Sequence, residues 1–271
     1  FGAEALQTLA LIDDPFPERE ILAKLARLLD GATPGNENPF LGMEVCRGAA
    51  ALWAVLAAPD TLRGHVIDSA SIRGAFSALP LHLRRHIGPE LARRLVDAGD
   101  DATALAIRDA IARAPGNHGA GLRLIDARLD LVRGEVAAGE EGLREVISAS
   151  DTQTPGALIA LVDSVLARGG TLDDGTLLLL GAMTRENPGA PEARDLSRAL
   201  ALATAAAGDF TRAFSVAPDA PALAETWLLL ARRGSDEAVL DHALSAPPDS
   251  LPEATRVLVA ERLVARGFGR P

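Results

Sequence analysis

The stretch from Pro89 to Pro115 reads PELARRLVDAGDDATALAIRDAIARAP, and it decides the fold. Leu91, Leu95 and Ala98 fall at i, i+4 and i+7, one stripe of a 3.6-residue helix, with Arg93, Arg94 and Asp97 off the stripe. Gly99 supplies the positive φ that closes a helix without a Cβ penalty. Asp100 or Asp101 is placed to cap the free N–H groups of the next helix. That helix takes its apolar side from Ala104, Leu105, Ile107, Ala110 and Ile111, and Pro115-Gly116-Asn117 ends it. Neither helix buries its stripe alone, so the hairpin must stack on neighbours.

The same punctuation recurs. The turn glycines Gly99, Gly134, Gly169, Gly208, Gly234 and Gly267 stand 35, 35, 39, 26 and 33 residues apart. The long unit has extra loop residues around Pro188–Pro191, and the short one a second helix truncated at Pro218. Gly64, 35 residues before Gly99, marks a degenerate unit. Helical hairpins repeating at this spacing resemble the tetratricopeptide repeat, whose period is about 34 residues. The likeness is fullest at the turn, where that family favours Gly-Asp-aromatic-x-x-Ala: Gly208-Asp209-Phe210-Thr211-Arg212-Ala213 fits throughout, and Gly99-Asp100-Asp101-Ala102-Thr103-Ala104 fits apart from the aromatic. Ala92, Ala127, Ala201 and Ala260 stand seven before a turn glycine, where the two helices of a hairpin touch, and Pro115, Pro188, Pro218 and Pro247 close units. The family's early tryptophan, mid-helix tyrosine and late aromatic are not kept. The resemblance covers roughly residues 78–271 and implies a right-handed α-solenoid.

Composition agrees with an all-α chain. Of the 271 residues 48% are hydrophobic but only 3% aromatic, with no tyrosine. Alanine and leucine supply the apolar mass, and both favour helices; strand formers are scarce. Lys24 is the only lysine, an arginine bias expected of a G+C-rich bacterial genome. The net charge of −10 comes with no basic stripe, which argues against nucleic-acid binding. Cys46 stands alone, so no internal disulfide and no Cys-rich metal site is expected. The apolar runs are too short to span a bilayer. No signal peptide is visible, but the sequence begins at Phe1 rather than methionine, so an upstream segment is expected to have been removed, and cytoplasm and periplasm fit equally.

Along the chain, helices are expected over residues 4–12, 18–30, 41–57 and 65–79. LHLRRHIG is expected to be a separate short turn of helix before Gly88-Pro89. Beyond the hairpin, helices are expected over 119–134, 136–148, 156–168, 173–186, 191–207, a short one ending at Pro218, then 221–233, 236–245 and 252–266. Ile21, Leu22, Leu25, Leu28 and Leu29 form one face of the second helix, and Trp53 lies in a well-buried one. The loop GATPGNENP, residues 31–39, is the strongest internal boundary. Residues 1–77 are read as an N-terminal helical segment, a cap or degenerate repeats, and 78–271 as the repeat array.

Chemistry-bearing patterns are few. His82, His86 and Glu90 stand at i, i+4 and i+8, the spacing of metal ligands on one helix face, but Gly88-Pro89 is expected to break that helix. Asp13-Asp14 and Asp173-Asp174 stand at helix ends, where capping explains them. No phosphate loop, nucleophile elbow, zincin or dinucleotide motif occurs. Cys46 is read as an inert core side chain on a helix rather than a nucleophile. The remaining candidate is a groove. In solenoids of the resembled family the first helix of each hairpin lines the concave face. Counting six back from the turn glycines gives Arg93, Arg128 and Asp163, with Arg198 four further back in its own hairpin. Arginines so placed fork onto carboxylates; the lysines and asparagines of the family's carboxylate clamp are absent.

The expectation is therefore a non-enzymatic scaffold that holds a protein or peptide in its groove, without cofactor, metal, nucleic acid or membrane insertion. The alternative is a superhelix domain of a larger enzyme, such as a cell-wall-cleaving one, with its catalytic part outside this chain.

Overall fold

The structure is a computed structural model. It describes all residues except 15, 33–37, 60–61, 114–115, 117–118, 187, 246–252 and 268–271, together with the side chain of residue 254. The centre of the expected boundary loop, the unit-closing Pro115 and Pro247, and the start of the expected helix at 252 lie outside the described residues. The described residues are all-helical, with no strand. None of their helices is long and apolar enough to cross a membrane.

The chain packs as two units, Phe1–Thr154 and Pro155–Pro271. The first holds α1 (Gly2–Ala10), α2 (Arg19–Leu29), α3 (Ala49–Ala57), α4 (Ser69–Ala78), α5 (Leu81–Ala98), α6 (Asp101–Ala112), α7 (Gly119–Val132) and α8 (Val136–Ser148). Helices pair as hairpins: α1 with α2, α3 with α4, α5 with α6, α7 with α8. The first helix of one hairpin also packs on the first helix of the next, α3 on α5 and α5 on α7. Leu52, Val55, Ile72, Phe76, Leu91, Leu95, Ile107, Ile111, Ile125 and Leu129 merge into one core. Each such side chain, fully buried, contributes about 1.5–3 kcal/mol.

The second unit runs from α9 (Thr154–Ala167) through α10 (Asp174–Glu186), α11 (Ala193–Ala206), α12 (Phe210–Val216), α13 (Ala220–Arg233) and α14 (Asp236–Ser245) to α15 (Glu253–Ala265). It repeats this packing from α11 onward: α11 packs on α12 and α13, and α13 on α14 and α15. Ala205, Phe210, Ala213, Trp227, Leu230, Val239 and Val259 share its core, with the Phe214 ring 4.7 Å from Trp227.

The Gly-Asp turns work as read. Gly99 and Gly208 have φ of 87° and 93°. The aspartate after each accepts a hydrogen bond from the N–H three residues on, Asp100 from Thr103 and Asp209 from Arg212, both at 3.1 Å. One residue pair thus ends one helix and caps the next. Gly234 differs. Its φ is −65°, so it is no left-handed turn; a Cβ there would lie 2.7 Å from the Leu230 carbonyl, and close approach is what requires glycine. Of the four small residues, Ala92, Ala127 and Ala201 are buried, but Ala260 is exposed, since no helix follows α15 among the described residues.

Several expectations need correction. Gly88-Pro89 does not break the chain: α5 is one 18-residue helix with Pro89 inside it. A residue before proline avoids the helical region because its Cβ meets the proline ring, and glycine has no Cβ. The pair also sits where α5 packs closely on its neighbours. A Cβ on Gly88 would lie 2.5 Å from Ile111 Cδ1, and one on Gly121 of α7 would lie 2.9 Å from Pro89 Cγ. These contacts offset the missing backbone bond. The helix expected over 41–57 begins only at Ala49, after Gly42 and Gly48 turn the chain at φ of 75° and 83°. Trp53 is half-buried, and Leu105 and the Ile21–Leu22 end of the α2 stripe are exposed.

Candidate partner-binding face

Arg93 and Arg128 belong to the first unit, Asp163 and Arg198 to the second. Arg93, half-buried on α5, is held within its own helix. Its Nε and Nη2 donate to Glu90 at 2.8 and 2.6 Å, and its Nη1 donates to Asp97 at 2.8 Å. Arg94 Nε shares Glu90 at 2.7 Å. Desolvation pushes the Glu90 carboxyl upward, but the Arg93 hydrogen bond and the charges of Arg93 and Arg94 outweigh it and hold the group at about 2. Arg128 is half-buried on α7 at the matching position, six before Gly134.

In the second unit Arg198 of α11 is a junction. It forks onto Glu225 of α13 at 3.0 and 2.7 Å and reaches Asp163 of α9 at 3.1 Å. The Glu225 hydrogen bond is the main reason its guanidinium holds its proton still more firmly than usual. Arg194, one turn earlier, pairs with Asp219. Asp219 caps α13 through the Ala222 N–H, and this bond and Arg194 lower its carboxyl. At the far end Arg233 of α13 donates to the carbonyls of Gly170 and Gly169 at 3.4 and 2.8 Å, just past α9. Arg233 thus ties the end of α13 to the turn that follows α9.

Two further arginines were not picked out by sequence. Arg94 Nη1 donates to the carbonyls of Val55 and Ala58 at the end of α3, at 3.3 and 2.6 Å. Arg262 of α15 donates to those of Ala231 and Gly234 at the end of α13, at 3.0 and 2.6 Å, and pairs with Asp236. A shared offset was the available signal: each stands five before its turn glycine, Gly99 or Gly267. Glu225 gave none, because it follows the short 26-residue spacing.

The unbroken α5 does put His82, His86 and Glu90 on one helix, but not in one cluster. His82 and His86 lie against the Phe1 ring, with centroids 5.5 and 5.0 Å away, and His86 Nε2 meets the Leu29 carbonyl. Glu90 faces the arginines. No group of three or more His, Cys, Asp or Glu side chains able to hold a metal ion occurs among the described residues. Asp173 caps the start of α10, accepting from the Thr176 hydroxyl and N–H, which lower its carboxyl. Cys46 is exposed, not in the core.

No protein-family model, curated protein or solved structure matches this chain.

Proposed function

We propose that this chain is a non-enzymatic interaction scaffold, a right-handed α-solenoid of divergent tetratricopeptide-like hairpins that holds a protein or peptide on the face built by its first helices. The observation that carries the reading is the packing of first helix on first helix, α3–α5–α7 in one unit and α11–α13–α15 in the other. Arginines five before the turn glycine cap the preceding first helix in both units, which supports a repeat.

Connectivity favours the first unit's face for the partner. The pairs of Arg93 with Glu90 and Asp97 lie within one helix and are partly exposed. A partner carboxylate that exchanges with them parts no two helices, and Arg94 stays on Glu90. Arg198 instead ties three helices together, and trading it loosens the fold. Arg93 is therefore the groove's binding arginine, joined by Arg128 at the matching position of α7, and Asp163 and Arg198 are its framework.

The test is recovery of the partner from the source cells with wild-type chain, Arg93→Glu/Arg128→Glu and Arg113→Glu. Loss with the double variant alone, its circular dichroism unchanged, supports the reading. A partner that ignores the double variant, or none recovered by wild type, contradicts it.

A further inference from the structure

The α1–α2 hairpin runs past the core on which it sits. The C-terminal half of the α2 stripe is covered: Leu25 and Leu28 pack with Trp53 against Phe40, Ala54 and Ala57, and Leu29 packs against the main core. Its first turn is open, with Ile21 44% and Leu22 42% exposed. The end of α1 lies beside it, because Arg19 donates to the carbonyls of Leu9 and Ile12, both at 2.9 Å. There Leu11 is 82% and Ile12 38% exposed. Four large aliphatic side chains thus meet water at the tip of the hairpin, where Arg19 joins the end of α1 to the start of α2, and exposed apolar surface of this kind marks a contact site.

The charge around the tip says what covers it. Asp13, Asp14, Glu18 and Glu20 are all exposed. The one guanidinium among them, Arg19, is engaged with two carbonyls. We infer that the tip docks an amphipathic helix of a partner protein, apolar on one side and flanked by lysine or arginine. Leu11, Ile12, Ile21 and Leu22 take the helix's apolar stripe, and the carboxylates meet its basic flanks. A second copy fits poorly, since it sets one acidic tip against another on a chain of net charge −10. An anionic lipid surface is repelled for the same reason. This surface is separate from the face of Arg93 and Arg128, and its occupancy does not depend on theirs.

The probe is a fluorescein-labelled helix with leucines at i, i+3, i+4 and i+7 and lysines flanking them. Its companion carries glutamates in place of the lysines. Anisotropy is read on the whole chain. The lysine helix binds, and the glutamate helix does not. Ile21→Ser/Leu22→Ser weakens binding by about tenfold or more. Neutralising the rim (Asp13→Asn, Asp14→Asn, Glu18→Gln, Glu20→Gln) weakens it and flattens its salt dependence. Circular dichroism confirms that both variants keep the wild-type helix content. The inference is overturned if the lysine helix fails to bind, if both helices bind alike, or if the serine variant binds as wild type. A dimer seen by sedimentation and lost in the serine variant assigns the face to a second copy and overturns it too.

Discussion

Arg94 and Arg262 sit in different units and make the same contact. Each reaches from a first helix to the end of the preceding first helix and donates to two carbonyls three residues apart, those of Val55 and Ala58 or of Ala231 and Gly234. Both recipient helices end in an extended residue, Ala58 at ψ 128° and Gly234 at ψ 157°. The last carbonyls of a helix lack intrahelical partners and carry the negative end of its dipole. A guanidinium satisfies both needs. The arginine bias read from the sequence as a matter of codons therefore has a structural use.

Lysine does not replace these two arginines, because an ammonium is a point charge and not a planar fork. Trp53 and Trp227, the only tryptophans, report on one unit each. In urea unfolding followed by fluorescence of single-tryptophan variants, Arg94→Lys lowers the stability of the first unit by about 1–2 kcal/mol and spares the second. Arg262→Lys does the reverse. Equal effects of either substitution on both signals contradict the assignment.

Two glycines separate helix propensity from packing. Gly74 lies exposed in α4, and a Cβ added there would meet open space, so Gly74→Ala stabilises by about 0.5–1 kcal/mol. On Gly139 of α8, a Cβ would lie 2.7 Å from Leu131 and 2.9 Å from the Ala127 carbonyl. Gly139→Ala forces α7 and α8 apart and destabilises by about 1–3 kcal/mol, against its gain in propensity. Thermal melts of the pair move in opposite directions.

Acid weakens the first unit through Glu90. Its folded pKa, about 2, lies below the ordinary value of 4.5. The stability it contributes is whole above the unfolded pKa and is lost as pH falls from about 4.5 through about 2. Carboxyl NMR places its midpoint near 2, and Glu90→Gln reduces the fall of stability across that window. A midpoint that stays at the ordinary value contradicts the Arg93–Glu90–Arg94 arrangement.

The Arg198 junction predicts an order of effects. Glu225→Gln disrupts a two-point fork between α11 and α13 and costs the second unit about 1–2 kcal/mol. Asp163→Asn weakens one contact by a side chain that is half exposed, and costs about 0–1 kcal/mol. The Trp227 signal reads both; the opposite order contradicts the junction.

Helix positions were legible in the sequence because apolar periodicity and Gly-Asp turns are local. The turn aspartates Asp100 and Asp209 cap as their spacing implied. Gly88-Pro89 misled because its meaning is tertiary: what makes proline acceptable inside α5 is Ile111 on one side and Gly121 on the other, far off in sequence. The same holds for the charged face. The offset from the turn glycines located Arg93 and Arg198, but not the carboxylates that engage them, and Glu225 becomes visible only once α11 and α13 are side by side.

The central claim, that a partner lies on the first helices of the first unit, is tested most directly by hydrogen exchange on the complex with the recovered partner. The account predicts new protection on Leu81–Ala98 and Gly119–Val132, lost in Arg93→Glu/Arg128→Glu. Protection confined to other segments, with those two helices exchanging as in the free chain, contradicts it.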